Sequence, residues 1–297
     1  MKIGVHCSIR NGYKHALYEA EYLGCSCLQI FTHSPRVWKF TMPTYQEIDE
    51  FKTLRKKINL SPLVVHTAYL PNPASSNKEI YQKTNELLKL EFELATVFSA
   101  DYIVMHPGSY SEGKTIKDGI SQVVSCIDSC FEYILKKHNE ISFMLLLENV
   151  CGNGRKIGRT FTELAEIIYK SKFNKYIGIC IDTAHAFSYG YNIKTEEGIV
   201  SMMEEIDKTL NNEKVKLIHL NDSKAPLGSK IDQHYHIGKG FIGIKGLKNI
   251  IKHFFNLPFI LETPKECTFD KISDMDKKNI NIVKFMAKKL ISTTRQR

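Results

Sequence analysis

Tyr176-Ile177-Gly178-Ile179-Cys180-Ile181-Asp182-Thr183-Ala184-His185 is the stretch that decides the fold. Its first six residues are apolar or small with no alternation, as in a strand covered on both faces. The run stops on Asp182, with His185 three residues on. Seven further runs of the same kind lie at Lys2–His6, Cys27–Phe31, Leu63–His66, Tyr102–His106, Phe143–Glu148, Val215–Leu220 and Pro258–Glu262. Between them the apolar period lengthens to that of a helix, as at Leu87, Leu90, Leu94 and Val97, or Phe161, Leu164, Ala165 and Ile168. After the last run Ile280, Val283, Met286 and Leu290 repeat the pattern. Eight strands alternating with helix-sized segments predict a closed (β/α)8 barrel over residues 1–297, ending in a short basic tail at about 292–297. An open doubly wound sheet is the alternative, weakened in its dinucleotide-binding form because no G-x-G-x-x-G follows the first strand.

The ends of these runs carry the functional signal. His66, His106, Glu148, Asp182 and Glu262 close five of them, His219 lies near the end of a sixth, and Asp232-Gln233-His234 follows it in the next loop. In a barrel all strand C-termini open on one face, where active sites lie. Carboxylates gathered there without compensation would repel one another and take up protons. Interleaved imidazoles turn the cluster into a donor set for divalent cations. A single His at a strand end is more often structural; the joint pattern is hard to obtain from packing. His6 reads as a group that orients a ligand rather than as one. His15, His33, His138, His236 and His253 fall off the pattern and read as solvated or structural.

Composition sets the remaining bounds. The chain has 297 residues, 43% hydrophobic and 25% charged, which excludes disordered, collagen-like and coiled-coil classes. A formal charge of +9 favours an acidic partner, nucleic acid first. No apolar run is long enough for a membrane span or a secretory leader, so the expected location is intracellular, cytoplasmic or nuclear. The eight cysteines contain no C-x-x-C pair and read as reduced thiols, with Cys126 and Cys130 packing on one helix face.

At Gly4-Val5-His6-Cys7-Ser8, Leu147-Glu148-Asn149, Asp182-Thr183-Ala184-His185-Ala186-Phe187, His219-Leu220-Asn221-Asp222-Ser223-Lys224, Ile237-Gly238-Lys239-Gly240 and Leu261-Glu262-Thr263-Pro264 the sequence resembles the endonuclease IV family of metal-dependent apurinic/apyrimidinic endonucleases. The resemblance implies a (β/α)8 barrel with three Zn2+ per chain, Mn2+ or Fe2+ being able to take some positions. It implies cleavage of duplex DNA on the 5′ side of an abasic site, leaving a 3′-hydroxyl and a 5′-deoxyribose phosphate. His66, His106 and Glu148 would hold the first metal; Glu148, Asp182, His219 and Glu262 the second; His185, Asp232 and His234 the third. Glu148 would be the catalytic bridge, and Glu262 would also orient the attacking water. Arg36, Tyr69 and Leu70 would enter the duplex at the missing base, and Lys239 would contact phosphate, with Lys39, Lys156 and Lys224 as further candidates. The expected partner is abasic duplex DNA, bound by a monomer without a membrane. Two departures stand out: Gln233 occupies the place of an Arg, which removes an ionic contact to phosphate, and Ala184 replaces a Cys that is not a ligand. Asp222 reads as a supporting carboxylate rather than a ligand. A metal-dependent sugar isomerase of similar architecture and a non-catalytic lesion binder remain as rivals.

Overall fold

The computed structural model describes residues 1–265 and 274–294. The strands are β1 (Lys2–Cys7), β2 (Leu28–Ile30), β3 (Leu63–His66), β4 (Tyr102–Met105), β5 (Met144–Glu148), β6 (Ile177–Asp182), β7 (Val215–His219), β8 (Asp222–Ser223), β9 (His234–Tyr235) and β10 (Pro258–Leu261). The helices are α1 (Tyr13–Tyr22), α2 (Tyr45–Lys57), α3 (Lys78–Val97), α4 (Ile116–His138), α5 (Phe161–Lys170), α6 (Thr183–Tyr189), α7 (Glu196–Leu210), α8 (Gly243–His253) and α9 (Asp274–Thr294). Parallel pairing closes β1-β10-β7-β6-β5-β4-β3-β2 into one barrel, so the closed alternative holds over the open sheet. The basic tail expected at about 292–297 runs past Thr294 and so lies largely outside the described residues, as does Cys267.

The expected strand ends shift by a residue in places: His106 and Glu262 directly follow β4 and β10, and Leu220 falls outside β7. Two features were not foreseen. β6 is followed by two helices, α6 and α7, because Gly190, at a φ of 137°, stops the first of them after seven residues. The Asp232-Gln233-His234 segment is carried by a two-stranded antiparallel hairpin, β8–β9.

Strand alternation explains the placing of the site. Cys27, Val64, Val104, Leu146, Cys180, Leu217 and Ile260 form a small cluster inside the barrel. Their neighbours, such as Leu63, Val65, Leu145, Leu147, Ile179 and Ile181, face the helices and belong to the large outer core. Side chains repeat every two residues along a strand. Two residues beyond each interior position, at the C-terminal mouth, therefore stand Gln29, His66, His106, Glu148, Asp182, His219 and Glu262. On β1 the corresponding pair is Gly4 and His6. A Cβ at Gly4 would lie 2.0 Å from the Cys27 carbonyl oxygen, so only glycine lets β1 approach β2 this closely. The interior thus changes from an apolar layer to a polar one in a single step of the pleat.

A second glycine fixes the rim. Asp222, fully buried, accepts hydrogen bonds from the backbone N–H groups of Ser223, Gly240, Ile242 and Gly243. It thereby holds the turn that carries Lys239, and its role is structural, as the sequence suggested. A Cβ at Gly240 would meet Ser223 O at 2.3 Å and Asp222 Oδ1 at 2.5 Å. Gly240→Ala should therefore lower stability by roughly 2 kcal/mol or more, since neither atom can move without losing its bonds. Thermal unfolding of the variant checks this; an unchanged midpoint would count against Asp222 as the anchor.

Candidate metal centre

Eight of the nine proposed ligands fall into three tight groups: His66, His106 and Glu148; Asp182, His185 and His234; and Glu148, Asp182, His219 and Glu262. Within each group one donor atom per residue lies within 4.8 Å of the others. Glu148 and Asp182 are each shared by two groups. The ninth residue, Asp232, sits at the hairpin with Oδ1 3.1 Å from His185 Nε2 and 3.7 Å from His234 Nε2. The third group thus gains Asp182 beside the three residues expected.

The imidazoles are oriented from behind. His66 donates Nδ1–H to Thr67 O at 2.7 Å and turns Nε2 to Glu148 Oε2 at 3.2 Å. His185 donates Nδ1–H to Asn149 O at 2.9 Å, leaving Nε2 for Asp232. His219 is the reverse: its Nε2–H goes to Gln29 Oε1 at 2.8 Å, and Nδ1 faces Glu148 Oε1 at 2.9 Å. His234 bonds Glu262 O through Nδ1 at 3.2 Å, while its buried Nε2 has no hydrogen-bond partner. In each case one nitrogen is spent on an outer carbonyl and the other is aimed at the centre, as for a metal-ligating histidine.

Charge is balanced inside the cluster. Burial disfavours the Glu148 carboxylate, yet His219 and His106 together hold its carboxyl well below the usual carboxylate range. Burial likewise opposes charge on His185, but Asp182, Asp232 and Glu148 outweigh it and hold the ring well above the usual imidazole range. His219 is raised in the same way, against its burial, by Cys180, Glu262 and Glu148. His6 goes the other way, lowered by burial. Protons on His185 and His219 would offset the carboxylates, the role divalent cations would take over. The donor set of imidazole and carboxylate without thiolate, the shared carboxylates and the unpartnered His234 Nε2 all fit borderline cations such as zinc.

Sequence reasoning missed the amides that hold this set. Gln29, fully buried, donates to Glu262 Oε1 at 2.6 Å, accepts from His219 and lies 2.9 Å from His6 Nδ1. Asn221 donates to Asp182 Oδ2 at 2.7 Å and accepts the Glu262 backbone N–H at 2.7 Å. Asn149 bonds both backbone polar groups of Asp182. Strand parity would have marked Gln29, since it stands two residues beyond Cys27, as Glu148 stands beyond Leu146.

The mouth is a cleft of about 340 Å³ whose lining includes His66, His106, His185, Asp232, His234 and Glu262 together with Phe31 and Tyr69. Tyr69 is 62% exposed and packs its ring edge-on to Phe31 at 5.2 Å. Arg36 is exposed, and its charge partly offsets the burial that raises the Tyr69 phenol. Leu70 and Lys156 are half-buried, and Lys39, Lys224 and Lys239 are exposed. Gln233 is exposed as well, using its carbonyl to accept from Lys224 N. Among the described residues no helix is long and apolar enough to cross a membrane.

Comparison with known proteins agrees with this geometry. A family model described as a xylose isomerase-like TIM barrel matches residues 17–285. The chain is 43% identical over 273 residues to the "Probable endonuclease 4" of Halothermothrix orenii, covering 91% of this chain and 96% of that one. It is 40% identical over 287 residues to the protein of the same name from Thermosipho africanus, covering 95% and 97%. Among solved structures it is similar to endonuclease IV from Thermus thermophilus, with a TM-score of 0.83, 29% identity, and coverage of 97% of this chain and 100% of that one. A D-tagatose 3-epimerase-like protein shares the fold alone, at 20% identity and a TM-score of 0.74.

Proposed function

The chain belongs to the endonuclease IV family, and on that premise we propose that it is a DNA-repair endonuclease that hydrolyses the phosphodiester 5′ to abasic sites in duplex DNA, using three divalent metal ions. The observation that supports this best is the single connected cluster of five imidazoles and four carboxylates, with Glu148 and Asp182 each common to two groups. A two-carboxylate sugar site needs no such extension onto a hairpin, and a lesion binder needs none of it.

His66, His106 and Glu148 would hold one ion; Glu148, Asp182, His219 and Glu262 a second; and His185, Asp232 and His234, beside Asp182, a third. Bound there, zinc would supply Lewis acidity, neutralising phosphoryl charge, activating water at neutral pH and stabilising the departing 3′-oxygen. The chain's own work is positioning. Glu148, with no exposed surface, holds two ligand groups at fixed separation. Glu262 faces the cleft with Oε1 fixed by Gln29, so its carboxylate can orient the attacking water and take its proton. The products are a 3′-hydroxyl and a 5′-deoxyribose phosphate.

Lesion reading falls to the loops after β2 and β3. An abasic nucleotide has lost pairing and most stacking, so extruding it costs less than flipping an intact one. Arg36, Tyr69 and Leu70 would fill the gap, and Lys239 with its neighbouring lysines would hold phosphates without reading sequence. Affinity for DNA should fall steeply as salt rises. In this reading the unit that acts is a monomer.

The deciding assay uses a duplex with one abasic site. A nick on its 5′ side with a 3′-hydroxyl end is expected; an uncut duplex, with or without binding, would overturn the proposal in favour of an isomerase or a binder. Tyr69→Ala with Leu70→Ala should reduce the preference for abasic over intact duplex by about tenfold to a hundredfold, the scale of one or two lost stacking contacts. A ratio equal to that of the parent protein would remove the wedge from the account.

A further inference from the structure

We infer that Glu91, paired with His33, is a positioning residue that clasps the loop after β2 to the loop after β3 and so sets the pose of Arg36, Tyr69 and Leu70; this rests on the DNA-reading role proposed above. Glu91 lies on the buried stripe of α3, between Leu87, Leu88, Phe92, Leu94 and Ala95. At 1% exposure it stands where an apolar side chain would be cheaper. Its Oε1 accepts the Ala68 backbone N–H at 2.7 Å and faces His33 Nε2 at 3.0 Å. Its Oε2 is buried without a hydrogen-bond partner. A carboxylate kept at that cost, and touching none of the proposed ligands, has its use in the two groups it joins.

Those groups sit at the base of the reading loops. Ala68 directly precedes Tyr69 and Leu70. His33 opens the loop that carries Arg36, bonds Ser34 O through Nδ1 at 2.8 Å, and stacks face to face on Phe40 with ring centres 4.0 Å apart at 3°. The stack pins both ends of that loop and leaves Arg36, Val37 and Trp38 between them. One further tie, Tyr69 N–H to Pro35 O at 3.1 Å, couples the two loops nearer their tips. Without the Glu91 acceptor, the Ala68 N–H and a ring nitrogen of His33 are left unpaired in the interior, and the loops are joined only by the Tyr69–Pro35 bond and the Phe31–Tyr69 ring contact among the described contacts.

Trp38 is the only tryptophan of the chain and lies inside the clasped loop, so its emission reports the clasp in protein without DNA. The experiment compares zinc-loaded parent protein, E91L, E91Q and H33F by Trp38 emission and anisotropy, and by KM and kcat on the single-abasic-site duplex. E91L should red-shift Trp38, lower its anisotropy and raise KM roughly tenfold with kcat within about threefold, because loop pose acts on binding more than on the bond-breaking step. E91Q keeps an acceptor oxygen and should restore KM to within about threefold of the parent. H33F keeps the ring stack but not the bond, and should resemble E91L; it carries the test if E91L does not fold. Unchanged Trp38 emission in folded E91L and H33F overturns the clasp, as does a KM change without an emission change. A parent protein that leaves the abasic duplex uncut sinks the functional reading instead, and Trp38 emission then still decides whether the clasp exists.

Discussion

Glu262→Gln is expected to cut turnover by about 10³-fold while leaving the barrel folded, within the 10²–10⁴ that loss of a positioned acid–base group removes. The substitution is nearly isosteric, and the backbone contacts at this position do not depend on the charge: the Glu262 N–H goes to Asn221 Oδ1 and its carbonyl accepts from His234 Nδ1. The carboxylate is another matter. His219 holds it, against its burial, well below the usual carboxylate range, which favours the anion. An amide supplies neither that charge nor a site for the proton of the attacking water. The three measurements are kcat on saturating abasic duplex, the far-ultraviolet circular dichroism spectrum, and metal content by elemental analysis. Near-parental turnover by a folded, metal-loaded Glu262→Gln protein would remove Glu262 from the catalytic role. Loss of the fold would point instead to Gln29, whose donor Nε2 lies 2.6 Å from Glu262 Oε1 and would then face a competing donor.

The barrel and the charged part of its centre were legible because both rest on a local signal. An apolar run that ends on His, Asp or Glu shows in the chain itself, and eight apolar runs in alternation with helices, most of them ending so, leave few architectures. The neutral part was less visible. Gln29 sits inside a run read as Cys27–Phe31 and carries no charge to draw notice; only the parity of the strand, fixed once Cys27 is known to face the barrel interior, turns it toward His219. Asn149 and Asn221 were quoted as parts of motifs, but their partners lie on neighbouring strands, and such pairing is a tertiary fact. The hairpin β8–β9 contains only two residues per strand, too few for a periodic pattern. His33 falls off the strand-end pattern, and its partner Glu91 is 58 residues away on α3. Amphipathic periodicity shows that Glu91 is on the buried stripe, but not which loop it meets.

Removing the divalent cations with a chelator should abolish cleavage and also reverse how stability depends on pH. In the cation-free protein the histidines carry the counter-charge. His66, His185 and His219 are raised above the usual imidazole value of 6.5, so their contribution to stability is complete below that value and is lost as pH rises through their higher folded-state values. Glu148, Asp232 and Glu262 are lowered, so theirs is present above the ordinary carboxylate values of 3.8 and 4.5 and is lost as pH falls through the folded-state values. Cation-free protein should therefore be most stable between those ranges and should weaken toward alkaline pH, where four carboxylates meet neutral rings. The cation-loaded protein behaves in the opposite way at the alkaline end, because ligation requires deprotonated imidazole and is favoured as protons leave. The gap in thermal midpoint between loaded and chelated protein should thus be small near pH 5 and widen steadily to pH 8. Since the three histidines are raised, protons compete with the cations above pH 6.5 as well, so loading and cleavage should already decline on acidification through neutrality. Thermal unfolding with and without chelator at half-unit steps of pH gives both curves, and re-addition of zinc should restore the upper one together with activity. A chelated protein that keeps its midpoint and its cleavage at pH 8 would mean that the converging carboxylates are neutralised by the histidines alone, and the three-metal reading of the centre would have to be given up.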